Sequence, residues 1–404
     1  MQPRAEIFSQ GDEVVTGEIA DTNAAWLAEV LTGMGFDIAR HTTVGDRLEE
    51  LIDLLREIST RADLCLCTGG LGPTCDDLTT EAVSRAFDRS LNMDPVALGQ
   101  IEDWFRRMGR DMPAVNRKQA LLPGGAVRLD NAWGTAPGFA VTAGRCRFYF
   151  MPGVPREMKA MFGAAIEPAL PGLFGLAPRP RVVLRTVGLG ESTLQERLDG
   201  VALDGADLGF RAGGAENQVK LAFPSGLPEA AIGAVVERAK AAIGPAVYAV
   251  VRDRQGPAGL PDVVGKLLRA RHASLFLLET ASAGLLANRC GGEDWLVGAR
   301  LEPMPERLLA DFGVAASDSP LADAKALASS LRDRSGADVA LLQWGAFTPA
   351  ELRDESARVE LMVAVAGPDG VTVEARDLTG GLSRKRDTAA VFSLDVLRRV
   401  LNSA

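Results

Sequence analysis

Thr68-Gly69-Gly70-Leu71-Gly72-Pro73-Thr74-Cys75-Asp76-Asp77-Leu78-Thr79 decides how this chain reads. An apolar run, Ala62 to Cys67, precedes it and has the composition of a buried strand; a helical pattern begins near Leu78. A glycine-rich turn from strand to helix presents bare backbone N–H groups at the positive end of a helix, an arrangement that suits a phosphate. The adjacent Asp76 and Asp77 add carboxylates that a plain phosphate cradle does not need. They are candidates to hold a hard cation that neutralises the bound anion. The turn is not a Walker A loop, because the G-x-x-x-x-G-K-[ST] spacing is missing.

Outward from that turn, residues 4–165 alternate strand and helix patterns, which predicts a mainly parallel sheet covered on both faces. Strands are expected at Ala5–Ser9, Asp37–Val44 and Asp63–Cys67. A helix is expected from Asp21 or Thr22, burying Leu27, Val30, Leu31 and Met34. A second is expected from Asp46, with Glu49 three residues on as in a capping box. Gly138–Thr142 and Arg145–Met151 read as a hairpin. Proline- and glycine-rich joints at 168–180 and 255–261 divide the 404 residues into 1–170, a small α+β module at 171–254, and an α/β block at 255–404.

Apolar residues make up 47% and charged residues 24%, the balance of a globular protein. The net charge of -9 argues against a nucleic-acid backbone as main partner, though not against a small anion held by local N–H groups. No signal peptide or membrane-length apolar run is present, so a cytoplasmic location is expected. The five cysteines have no metal-type spacing, and Cys65 and Cys67 read as small core residues of one strand face. With only His41 and His272, a histidine-based triad or multi-histidine metal site is not expected.

Doubly wound sheets place ligands at the carboxyl ends of their strands. Gly11-Asp12-Glu13 with Gly17 follows the first strand, either as a structural turn with a solvated acidic pair or as a functional loop. Thr22 and Asn23 would cap a helix or touch a ligand. Asp46 ends the second strand and is either an N-cap or a partner that converges on Asp76 and Asp77. Asn116-Arg117-Lys118-Gln119 supplies two cations, by default on a solvated helix face. Gly134-Thr135-Ala136-Pro137-Gly138 and Met151-Pro152-Gly153-Val154-Pro155, the latter before a helix containing Glu157, complete five glycine-bearing loops around one sheet edge.

Together these loops resemble the competence/damage-inducible CinA family, whose N-terminal domain is similar to the molybdopterin-binding domain of MogA- and MoaB-type proteins. The resemblance covers about residues 5–165. It implies a sheet edge that binds a phosphorylated pterin or nucleotide and, in this branch, metal-dependent hydrolysis of the pyrophosphate of ADP-ribose. It also implies a KH-like middle module without an RNA-binding role, since Gly188-Leu189-Gly190-Glu191 is not basic. A homodimer is implied as well. The last block resembles the family's C-terminal domain, which in active members deamidates nicotinamide mononucleotide. Here the family's Glu-Ser-Cys-Thr-Gly-Gly reads Glu279-Thr280-Ala281-Ser282-Ala283-Gly284, and its Gly-Pro-Gly-Gly loop is missing. An inactive domain kept for dimerisation or packing is expected, with Thr280 and Ser282 unactivated.

The resulting expectation is a hydrolase. Gly69, Gly70, Gly72 and Thr74 hold the phosphates, with Gly11, Asn23, Asn116, Arg117, Gly134, Thr135, Pro152 and Gly153 around them. Asp46, Asp76 and Asp77 hold a divalent ion, Mg2+ first and Mn2+ or Co2+ as alternatives, with Glu13 or Glu157 ordering its waters. Asp46, Asp77 and Lys118 are the catalytic candidates. A non-catalytic molybdopterin or nucleotide carrier or sensor, and a molybdopterin adenylyltransferase, are the competing readings.

Overall fold

The computed structural model describes residues 2–177, 179–252, 256–257 and 259–403. It divides into two compact units, Met1–Arg179 and Pro180–Ala404. Parts of both expected joints, Pro178 and residues 253–255 and 258, lie outside the described residues.

In the first unit the expected strands are β1 (Arg4–Gln10), β2 (Asp37–Val44) and β3 (Leu64–Thr68). The short β4 (Leu91–Met93) and β5 (Leu121–Pro123) pair with each other apart from the main sheet. β6 (Val127–Leu129), β7 (Gly138–Ala143) and β8 (Cys146–Met151) complete the six-stranded order β2-β1-β3-β8-β7-β6. β2, β1, β3 and β8 run parallel, and β8-β7-β6 is antiparallel. Gly144, at φ +55, makes the β7–β8 turn.

Helices α1 (Asp12–Val15), α2 (Thr22–Met34), α3 (Leu48–Arg61), α4 (Thr79–Ala86), α5 (Pro95–Arg107), α6 (Pro155–Met161) and α7 (Leu170–Phe174) surround the sheet. Because side chains alternate along a strand, Cys65 and Cys67 enter a core with Leu51, Leu55 and Ile58 of α3 and Val83 of α4. Leu64 and Leu66 enter the opposite core with Leu27, Val30 and Leu31 of α2. The unit is thus a three-layer α/β structure. Phe174 of α7 packs edge-on to Phe36 at 5.2 Å, which carries the first unit past residue 170 to 179.

The second unit holds two sheets. β9 (Arg181–Val187), β10 (Asp207–Gly213), β11 (Glu216–Ala222) and β12 (Val247–Arg252) form an antiparallel sheet in the order β10-β11-β9-β12. It packs on α8 (Glu191–Leu198) and α9 (Glu229–Ile243). β10 escapes the sequence pattern because it is a half-exposed edge strand that contains Gly209 and Gly213. β13 (Leu275–Glu279), β14 (Leu296–Leu301), β15 (Val339–Trp344), β16 (Val359–Gly367) and β17 (Gly370–Leu378) form the other, mixed sheet.

Around that sheet lie α10 (Leu260–Ala270), α11 (Leu285–Arg289), α12 (Leu308–Phe312), α13 (Pro320–Ser335), α14 (Pro349–Arg353) and α15 (Leu382–Ser403). Val187, Tyr248 and Ala249 of the first of these sheets share a core with Leu275, Leu341 and Val391, so the expected middle module, from residue 180 on, and the last block form one compact unit. No helix among the described residues is long and apolar enough to cross a membrane.

Candidate functional site

Strand register builds the site. Gln10 pairs with Val44, Ser9 with Thr68, and Thr68 with Met151, so the carboxyl ends of β1, β2, β3 and β8 form one row. The loops that follow are the glycine-bearing segments of the sequence. An ideal Cβ on Gly153 would lie 3.5 Å from the Gly69 Cα, which puts the loop after β8 against the turn after β3. Gly69 and Gly70 adopt φ +97 and +67, and a side-chain carbon on Gly69 would overlap the Gln10 carbonyl. These two positions therefore require glycine.

Gln10, only 5% exposed, is the hub that the sequence reading passed over. Its Nε2 donates to Asp46 Oδ1 at 2.7 Å and to the Asp76 carbonyl at 3.1 Å, while its Oε1 accepts from the Thr79 hydroxyl. One amide thus joins β1, the end of β2 and the turn after β3. Its signal was weak: a lone glutamine at a strand end carries no motif.

Asp46 does not cap α3; Arg47 precedes that helix and no side-chain cap forms. The Asp46 carboxylate turns instead to Gln10 and to the Asp12 amide at 3.3 Å, and the Asp46 amide donates back to Asp12 Oδ1 at 3.1 Å. The expected capping box fails because this reciprocal pair and Gln10 claim the carboxylate.

Asp77 is a brace. Its oxygens accept from Gly72 N at 2.7 Å, Thr74 N at 2.8 Å and the Thr74 hydroxyl at 2.5 Å. Lys118 Nζ donates to the carbonyls of Thr74 and Asp77, both at 2.7 Å. Two of its three N–H bonds are therefore spent on the turn. Asn116 donates to Gln119, and Gln119 reaches the Leu71 carbonyl at 3.4 Å, so the 114–120 segment buttresses the turn from behind. Arg117 is exposed and pairs with no carboxylate among the described residues. Asp76 is exposed too, and its carboxyl lies below the usual range with the Thr74 hydroxyl and its own backbone N–H beside it.

The braces leave a bare strip. The N–H groups of Gly70, Leu71 and Cys75 have no protein acceptor among the described residues. Asn23, at the start of α2, donates to the Gly153 carbonyl at 2.7 Å, and its buried Oδ1 has no partner. Buried acceptors are normally satisfied, so this one stands out at the rim.

The two expected metal helpers each lie over a glycine of these loops. Glu157 accepts from Asn131 at 2.7 Å and lies over Gly134, tying the 131–136 loop to α6. Glu13 is exposed and folds over Gly11. Among the described residues no three His, Cys, Asp or Glu side chains cluster as metal donors, so Asp46, Asp76 and Asp77 do not form a closed cage. Thr135 is half-buried and Pro152 buried at the same edge.

In the second unit, Thr280 and Ser282 are buried. Thr280 donates to the Gln343 carbonyl at 3.2 Å, and Ser282 engages Gln343 Oε1 at 2.9 Å and Glu279. Glu279 also accepts the Leu286 and Ala287 amides at the start of α11. Every member has partners within the protein, as a structural network requires.

Residues 6–172 match a family described as "Probable molybdopterin binding domain". A CinA-like protein of Frankia casuarinae is 35% identical over 98% of this chain and 96% of its own length. The chain belongs to the CinA-like protein family. A CinA-like protein of Escherichia coli is 36% identical, over 99% of this chain and 94% of its own. Among solved structures, a CinA protein of unknown function from Thermoplasma acidophilum is 32% identical with a TM-score of 0.39, covering 41% of this chain and 98% of that one.

Proposed function

We propose that the rim of the first unit binds a small phosphorylated molecule of the pterin or nucleotide type, and hydrolyses the diphosphate of an ADP-ribose-type substrate. One observation carries the binding: the Gly70, Leu71 and Cys75 amides are unpaired in a turn that Asp77, Lys118 and Gln10 hold rigid. Donors fixed in advance bind an anion without first losing their own disorder. The α4 N-terminus adds a positive partial charge. The match to the molybdopterin-binding domain supports the ligand class.

The hydrolysis rests on acidic groups beside those amides. Water adds across the P–O–P bridge, and the products are AMP and ribose 5-phosphate. Such chemistry is mainly alignment and charge neutralisation. Mg2+ keeps several waters and needs only one or two carboxylates plus substrate phosphates. Exposed Asp76 offers the hard oxygens it prefers, and Asp46, tied to the same Gln10 amide, offers the lone pairs its two hydrogen bonds leave, whereas Asp77 holds three donors of the turn. Bound there, the ion would polarise a phosphate and acidify a water. Asp77 and Lys118 position the phosphate-binding amides, and exposed Arg117 is the cation available to a leaving phosphate.

The buried hydroxyls of Thr280 and Ser282 support a second unit without deamidase activity. Incubation of the purified protein with ADP-ribose, with and without Mg2+, Mn2+ or Co2+, tests the reading. Release of AMP and ribose 5-phosphate is expected. Tight binding without turnover would leave a carrier or sensor, and AMP transfer to molybdopterin would make it an adenylyltransferase.

A further inference from the structure

The second unit carries a cavity of about 140 Å3 that the rim chemistry does not use. Gly188 and Gly190 of the turn before α8, Gly214 of the β10–β11 hairpin, Arg376 of β17, and Arg384 and Phe392 of α15 line it. Its electrostatics are unusual for this acidic chain. α15 opens Leu382-Ser383-Arg384-Lys385-Arg386, three cations within five residues of a helix end that is itself positive. α8 also points its N-terminus here, with Gly190 as its N-cap.

Neighbouring groups answer only part of this charge. Lys385 donates to the Asp354 and Glu351 carbonyls at 2.6 and 3.2 Å. Asp387 is held by Arg289 at 2.5 Å and by the Ala215 amide at 3.3 Å. Glu374 pairs with Arg399, and Asp377 with Arg358. Glu355 approaches Gly381 at the start of α15, and Glu191 on α8 is exposed. Neither forms an ion pair with Arg376 or Arg384 among the described residues. Arg376 lies over the Phe392 ring at 5.5 Å, with its Nη1 3.2 Å from where a Gly188 Cβ would stand. The buried Arg386 Nε has no partner.

We propose that this cavity binds a compact phosphate-bearing molecule, Arg376 and Arg384 gripping the phosphate while Phe392 and Val187 form an apolar floor. Two guanidiniums that form no ion pair among the described residues match a phosphate monoester, which carries roughly two negative charges near neutral pH. The volume has room for a phosphate and several further atoms, since a single water needs only about 10–15 Å3 of such space.

Inorganic phosphate titrated into the full-length 15N-glycine-labelled protein tests this. Resonances of Gly188, Gly190 and Gly214 should shift, and Arg384→Gln should weaken that response about tenfold. The responses of Gly69, Gly70 and Gly72 at the rim should persist in the same variant. Arg384 is exposed, so its replacement leaves the fold intact, as an unchanged melting curve would verify. Silence at Gly188, Gly190 and Gly214, or equal affinity in Arg384→Gln, overturns the proposal. An equal response to acetate would also overturn it, by making the site a general oxyanion site. Silence at the rim glycines alone counts against the rim reading and leaves this one standing.

Discussion

Gln10→Glu exchanges the amide nitrogen at the centre of the rim for an oxygen and changes little else in shape. In the native protein Nε2 sits 2.7 Å from Asp46 Oδ1 and 3.1 Å from the Asp76 carbonyl. The introduced carboxylate would therefore face one carboxylate and one carbonyl. If the two charges relax to about 4 Å, an effective dielectric of about 20 sets their repulsion at about 4 kcal/mol. A protonated acid avoids that repulsion and restores one donor, so the introduced group's pKa rises on folding above its unfolded value of about 4.3.

The sign follows from proton binding. Above about pH 4.3 the unfolded chain has released a proton that the native state keeps, so stability falls as pH rises. The loss accrues at about 1.4 kcal/mol per pH unit and levels off near 4 kcal/mol around neutrality. Gln10→Ala loses the same hydrogen bonds without a titrating group and supplies the baseline. Two compact units need not unfold together, so the stability of β1 and β3 is best read from amide hydrogen exchange between about pH 5 and 7. A difference between the two variants that stays flat with pH would refute the account of Gln10 as the tie between Asp46 and the turn.

Gly69→Ala should cost at least about 2 kcal/mol in urea unfolding, because the left-handed backbone strain adds to overlap with the Gln10 carbonyl. Lys118→Ala should lower stability by only about 1 kcal/mol yet weaken ADP-ribose binding in calorimetry, as two turn carbonyls lose their donor. Ser282→Ala should destabilise the protein by about 1–3 kcal/mol in thermal melts, because Glu279 and Gln343 lose a buried partner. Ammonia release from nicotinamide mononucleotide should stay at background with and without that change. One thiol, Cys75, should react quickly with a maleimide in the native state and be shielded by bound ADP-ribose. The other four are buried, and burial raises the thiol pKa of each, Cys290 up to about 12.

Much of the first unit was legible because its signals are local. Thr68 and Met151 end apolar runs and Val44 ends a β-branched one, and their parallel pairing puts the loops that follow side by side. What stayed hidden was the division of labour among the polar side chains. Asp77 and Lys118 look like reagents in sequence, yet both spend their bonds on the turn. Asp46 looked equally like a helix cap, and only the reciprocal pairing with Asp12 decides against it. Gln10 was invisible because its three partners lie 36 to 69 residues away. The edge strand β10 was missed because a half-exposed strand with two glycines lacks alternation.

A crystal structure of the protein with ADP-ribose and Mg2+ tests the central claim most directly. Phosphate oxygens within about 3 Å of the Gly70 and Leu71 amides, with Asp77 and Lys118 still bracing the turn, is the expected result. A ligand bound elsewhere, or a rim in which those amides remain unoccupied at saturating ligand, would contradict it.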